Sequence, residues 1–139
     1  MDVLKKILIT GGAGMIGSRL VQLMLRNSYK VTVVDNLWRG KLKYLKNING
    51  FDIDNNFINI DLSTNNPFEF LKKGKAFDHI IHLADIVAGI GYVFGNEGYI
   101  FRVNNSINSN VVKYALETNV EKFIYVGTAC SFPKDLQKG

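Results

Sequence analysis

The residues best placed by type and spacing to do chemistry lie in Ile7-Leu8-Ile9-Thr10-Gly11-Gly12-Ala13-Gly14-Met15-Ile16-Gly17. Gly12, Gly14 and Gly17 satisfy G-x-G-x-x-G, and Gly11, Gly14 and Gly17 the wider G-x-x-G-x-x-G. In such a run the early glycines allow a tight turn, Gly14 lets a pyrophosphate approach the backbone, and Gly17 lets helix and strand pack closely. The diphosphate would rest on free N–H groups at the helix N-terminus, where Met15 and Ile16 stand. The glycines alone are equally a turn that binds nothing. Their context argues for a dinucleotide: an apolar strand before, an amphipathic helix after, and Asp35 ending the next apolar run.

Asp35 lies eighteen residues past Gly17. A carboxylate there accepts hydrogen bonds from the ribose hydroxyls of NAD and repels the extra phosphate of NADP. The plainer reading is an acidic turn residue, and Arg39 could still neutralise a phosphate. Asp61-Leu62 ends a third apolar run, where an aspartate could accept the adenine amino group while the leucine covers the ring. His82, near the end of a fourth run, reads as a core histidine bonded locally rather than a catalytic base. Two histidines (His79, His82) and one cysteine without clustered ligand spacing argue against a metal site. Thr128-Ala129-Cys130 follows a fifth run directly. A thiol of lowered pKa there could move a proton on and off a carbon beside a carbonyl, the alternative being an inert, half-buried cysteine.

Positioning these groups requires strands alternating with helices. Strands are expected at residues 3–10, 30–35, 56–60, 77–84 and 121–127, helices at 14–27, 63–73 and 98–119, and a short basic helix at 41–47. The first helix should bury Ile16, Leu20, Leu23 and Met24. The long one should carry the stripe Ile100, Val103, Ile107, Val111, Tyr114 and Ala115. Residues 46–56 and 85–96 read as loops. Such alternation predicts right-handed βαβ units and an α/β, doubly wound Rossmann fold: about five parallel strands in the order 3-2-1-4-5, helices on both faces.

At 139 residues the chain reads as one domain with enough apolar residues, 47%, for a real core. The net charge of +5 is scattered, with no basic stripe interleaved with exposed aromatics, so nucleic acid is not an expected partner. One cysteine excludes an internal disulfide. With no signal peptide and no long apolar span, the expectation is a cytoplasmic protein away from membranes.

Together these motifs resemble the extended short-chain dehydrogenase/reductase family, the NAD-dependent nucleotide-sugar epimerases and dehydratases, over essentially the whole chain. Thr10–Gly17 is similar to the cofactor loop, Asp35-Asn36-Leu37 with Arg39-Gly40 to the ribose-binding turn, and Asp61-Leu62 to the adenine pair. His82-Leu83-Ala84 resembles the family's His-Leu-Ala-Ala, with Asp85 replacing the second alanine in the wall near the nicotinamide ribose; Asn104 matches a structural asparagine. The stretch 126–134 resembles that of GDP-fucose synthases and GDP-mannose 3,5-epimerases, Phe132 replacing a tyrosine, and the loop 87–91 is similar to a glycine-rich loop in both.

The resemblance implies an NAD-using enzyme (NADP less so) that epimerises or dehydrates a nucleotide sugar through transient oxidation of a sugar hydroxyl. Thr128 would take the slot of the catalytic Ser/Thr and Cys130 that of the proton-moving cysteine. The family's Tyr-x-x-x-Lys occurs nowhere in the 139 residues. The chain is therefore expected to be the N-terminal half of such an enzyme, residues 1–139 forming its NAD-binding domain without the substrate domain. A homodimer is implied, with Ile100, Val103, Ile107 and Val111 left partly uncovered for self-association. The rival from another class is a non-catalytic NAD(P)-binding or regulatory module. A purely structural protein would leave the glycine loop unexplained.

Overall fold

Side chains alternate sides along β1 (Lys6–Thr10), and this alternation sorts the core into two layers. Ile7 and Ile9 face one side of the sheet, and Leu8 faces the other. The computed structural model describes residues 4–71 and 77–128. After β1 come α1 (Met15–Arg26), β2 (Lys30–Asp35), α2 (Lys43–Lys46), α3 (Ile53–Asn56), β3 (Phe57–Asn59), β4 (His79–His82), α4 (Ile90–Val93), α5 (Glu97–Thr118) and β5 (Lys122–Tyr125). All strand pairs are parallel, in the order β3-β2-β1-β4-β5. Ile7 sits opposite Val31 on one side and His79 on the other. This is the expected doubly wound arrangement. Its strand order reverses between β1 and β4, where a ligand crevice opens beyond the strand ends.

On one face α1 and α2 cover Ile7, Ile9, Val31, Val33 and Ile81 with Val21 and Leu45. On the other, α5 covers Leu8, Val34 and Ile80 with Val103, Ile107, Val111, Tyr114 and Ala115. Phe68 stacks on Tyr114 at 4.3 Å between ring centres.

Several expectations are corrected. On α1, Ile16 and Leu23 are exposed, and the packed face is Gly17, Leu20, Val21, Met24 and Leu25. Ile16 faces outward because Gly17 and Val21, one turn apart, take the inner stripe. Within the expected helix 63–73, the described residues 63–71 form turns instead. Asn66 adopts φ 49, which interrupts a right-handed helix, and the Asp61 carboxylate takes the Ser63 N–H into a local turn. The expected loops hold short helices: Asp52 caps α3 by accepting from the N–H groups of Asp54 and Asn55, and α4 begins after Gly89. The four residues of α5 expected to lie partly uncovered do not form a free stripe. Val103, Ile107 and Val111 are buried in the core, because α5 lies flat on the sheet. The apolar residues it leaves exposed include Phe101, Val112 and Leu116. Among the described residues no helix is long and apolar enough to cross a membrane.

Candidate functional site

The glycine loop is held by contacts that only a missing side chain permits. Gly11 has φ +70, and a Cβ there would lie 3.0 Å from the Ala84 backbone nitrogen. At Gly17 a Cβ would lie 2.3 Å from the Gly11 carbonyl oxygen and 2.6 Å from the Gly12 Cα, so this glycine lets α1 close onto the loop. Gly14 differs: a Cβ there would meet only the Gly11 oxygen, at 3.2 Å. Gly14 is the N-cap of α1 and gives no side-chain cap, so the first-turn N–H groups have no partner from a capping side chain. Met15 and Ile16 in that turn are exposed. An open glycine beside uncapped helix amides fits a diphosphate.

Asp35 ends β2 beneath this loop and is 8% exposed. Its Oδ2 accepts from the Ala13 N–H at 3.0 Å and its Oδ1 from the Leu37 N–H at 2.8 Å. Gly40 packs so closely that a Cβ there would lie 2.8 Å from Oδ1. Each oxygen keeps an acceptor site, so the carboxylate fits a ribose while bracing the loop. Asn36 accepts from the Trp38 N–H and shapes the turn. The Arg39 guanidinium donates to the Val87 carbonyl, and the Trp38 and Tyr92 rings lie 5.7 Å apart. The loop after β2 is thereby clasped to the loop after β4.

Asp61 is exposed at the end of the third strand region, engaged by Ser63, whereas the Leu62 side chain is sunk in the core. On the other side of β1, Asn104 clamps the backbone of Ile86, accepting its N–H at 2.7 Å and donating to its carbonyl at 3.3 Å. Thr128 is exposed three residues past β5, whose pairing continues as the Val126 N–H donates to the His82 carbonyl. Cys130 lies outside the described residues. The structure therefore brings Gly11, Gly14, Met15, Ile16, Gly17, Asp35, Leu83 and Ala84 around one loop. Asn104 acts behind it and Leu62 is turned away.

A buried polar chain escaped the sequence reading. Thr10 Oγ1 accepts the N–H groups of Leu83 and Ala84 at 3.2 and 3.3 Å, so its proton is directed to His82 Nδ1 at 2.6 Å. The histidine proton then belongs on Nε2, which donates to Asn108 Oδ1 at 2.8 Å. That bonding leaves the Asn108 amide N–H groups to serve Asp85. His82 is 1% exposed, and burial holds its pKa below the usual value, opposed by Asn108. Burial pushes the Asp85 carboxyl up to about 6, again opposed by Asn108. Asp85 Oδ1 is buried with no hydrogen-bond partner. The available signals were Thr10 immediately before Gly11 and Asn108 one helical turn after Asn104. Among the described residues no group of three or more His, Cys, Asp or Glu could hold a metal. A hollow between residues 66–71 and α5 shares no residue with the glycine loop.

Comparison with known proteins agrees with this geometry. The model of the NAD dependent epimerase/dehydratase family matches residues 7–138. A putative UDP-arabinose 4-epimerase of Arabidopsis thaliana is 34% identical over 132 residues, covering 91% of this chain and 29% of that protein. A UDP-N-acetyl-alpha-D-glucosaminuronate decarboxylase of Bacillus cytotoxicus is 33% identical over 125 residues, 90% of this chain and 37% of that protein. The solved UDP-Glc/GlcNAc 4-epimerase of Campylobacter jejuni superposes with TM-score 0.78 at 29% identity, covering 94% of this chain and 39% of that one. The chain thus spans less than two-fifths of each of these relatives. With a family model over nearly its whole length and the glycine loop and Asp35 in place, the chain belongs to the NAD dependent epimerase/dehydratase family.

Proposed function

We propose that this chain is the NAD-binding portion of a cytoplasmic, homodimeric nucleotide-sugar epimerase or dehydratase. The observation that carries the reading is the pairing of uncapped α1 amides beside an open Gly14 with the Asp35 carboxylate at the tip of the neighbouring strand. Gly11, Gly14, Met15, Ile16 and Gly17 would hold the diphosphate. Asp35, with Asn36 shaping its turn, would take the adenosine ribose and disfavour NADP, and Asp61 beside Leu62 would meet the adenine. Leu83, Ala84 and Asn104 form and fix the wall beyond β4.

Bound NAD would supply reversible hydride acceptance from a sugar carbon. Thr128 would hold the reacting sugar hydroxyl, and Cys130 would move a proton at the carbon beside the new carbonyl. The relatives named above act on UDP-sugars by their names, which favours a UDP-sugar. The stretch 126–134 favours a GDP-sugar through its likeness to GDP-fucose synthases. The second reading is a non-catalytic NAD(P)-binding module. Homodimerisation is assigned to the exposed apolar face of α5, where Phe101, Val112 and Leu116 recur at helical spacing.

Calorimetric titration with NAD and NADP tests the cofactor. NAD should bind more tightly, and Asp35→Ala should narrow the difference; tighter NADP binding overturns the assignment. Turnover of a UDP- or GDP-sugar by the chain would exclude the module reading.

A further inference from the structure

We propose that the groove between α1 and α2 binds a small phosphate-bearing metabolite, at a site separate from the dinucleotide crevice. The inference goes beyond the NAD reading and stands or falls apart from it.

The groove follows from the two helices. On α1, Met15, Ser18, Arg19 and Gln22 fall three and four residues apart and share one face. Across from them stand Lys43 and Tyr44 of α2, with Asn47 and Ile48 just past its end. Together these residues enclose about 300 Å³, at the small end of the range for ligand sites. The α1 wall runs roughly 10 Å from Met15 to Gln22, which suits a small molecule and not a polymer. Ser18 and Ile48 are buried, and Arg19, Lys43 and Asn47 are exposed. Of the residues assigned to the dinucleotide, Met15 alone lines this groove.

Its chemistry calls for an anion with several acceptor oxygens. Between Met15 and Phe51 lie seven of the 17 basic residues but only one of the 12 acidic ones. That one, Asp35, is buried and already accepts from two backbone N–H groups. No carboxylate lines the groove. Among the described residues neither Arg19 nor Lys43 has an ion-pair partner, and the side-chain amides of Gln22 and Asn47 make no hydrogen bond. Lys43 Nζ lies 5.6 Å from the centre of the Tyr44 ring. That cation–π contact steadies the ammonium while leaving its N–H donors free. The first turn of α1 carries no acid, so the helix dipole adds to the same positive field. The planar Arg19 fork can take two oxygens of one phosphate, Lys43 supplies a point charge from the facing helix, and the two amides offer donors to the remaining oxygens. A carboxylate, with two oxygens, would leave part of this set unused.

NMR titration of the isotope-labelled chain with inorganic phosphate at constant ionic strength tests the site. Saturable shifts are expected at the Gln22 and Asn47 side-chain amides and at the Arg19 Nε–H. Arg19→Gln and Lys43→Gln, both at exposed positions, should each weaken phosphate roughly tenfold. Arg19→Lys keeps the charge but not the fork and should lose about threefold. Gly14→Val, which fills the diphosphate space, should leave phosphate within about twofold. Unchanged affinity in Arg19→Gln, or loss of phosphate in Gly14→Val, would place the anion on the glycine loop and overturns the proposal. So does a Lys43→Gln variant that loses NADP but keeps phosphate, which would make the groove part of the cofactor site. A chain that binds phosphate in the groove but no NAD overturns the NAD reading alone. One that binds NAD and shows no saturable phosphate shift overturns this inference alone.

Discussion

The two walls of the crevice are built by different means. On the β1–β2 side backbone geometry does the positioning: Gly11, Gly12 and Gly17 sit where a side chain would strike Ala84, Val33 or the loop itself, and Asp35 braces the turn through two backbone N–H groups. On the β4–β5 side polar side chains do it: Thr10, His82, Asn108 and Asn104 are strung between strand tips and α5, and the string ends on an unpartnered oxygen of Asp85. The first wall is rigid because nothing else fits. The second is rigid only while every donor keeps its acceptor, and so it can be altered one hydrogen bond at a time.

The contrast can be broken most forcibly on the first wall. Gly17→Val places a Cβ 2.3 Å from a backbone oxygen that cannot move aside without opening the loop. A loss of roughly 3–5 kcal/mol is expected, enough to unfold a domain of ordinary stability. Gly14→Val meets only one atom, at 3.2 Å, and should cost the fold about 1 kcal/mol. It should still abolish NAD binding, because the side chain would fill the space of the diphosphate. Thermal melts and titrations on both variants check the pair; equal losses of stability at the two positions would remove the distinction between a packing glycine and a binding one.

The second wall should yield to His82→Ala. The substitution leaves Thr10 Oγ1 and Asn108 without their shared partner and opens a cavity at a residue 1% exposed. A loss of about 2–4 kcal/mol is expected, measured by denaturant unfolding. A loss below about 1 kcal/mol would mean the polar chain contributes little beyond filling space.

What the sequence disclosed divides along the same line. The glycine loop, Asp35 and the sheet order were legible because glycine spacing and apolar periodicity are local signals that act through the backbone. The boundaries of β2 coincide with expectation, and α5 begins one residue earlier than expected. The helix expected over 63–73 failed within its described part because Asn66 takes a left-handed conformation and Asp61 captures the Ser63 N–H into a local turn, neither of which the Pro67 signal encodes. On α1 Leu20 and Met24 pack as expected, but Ile16 and Leu23 were misread, since Gly17, which carries no hydrophobic signal, occupies the innermost stripe. The polar chain joining Thr10, His82, Asn108 and Asp85 was invisible because its members lie on separate elements, up to 98 positions apart, brought together only by the fold.

The smallest expected effect is also the one that tells the two walls apart by pH. Burial holds the Asp85 carboxyl up to about 6, above its unfolded value of 3.8. The folded chain therefore keeps that proton over a window where the unfolded chain has released it. Asp85 favours folding at acid pH and loses that advantage as pH rises through 4 to 6. His82 slopes the other way: its lowered pKa supports stability above 6.5 and withdraws it as pH falls. Above neutrality only the Asp85 penalty remains, and Asp85→Asn removes it. Because the side chain is only about half buried, solvent screening reduces the expected gain to about 1 kcal/mol at pH 7.5. By pH 4, where the folded wild type is already protonated at Asp85, the gain should vanish. Urea unfolding of wild type and Asp85→Asn at the two pH values measures it, and an equal gain at both would assign the effect to packing instead of charge. Gly14 and Gly17 on the β1–β2 wall should not behave this way, since they carry no charge to titrate.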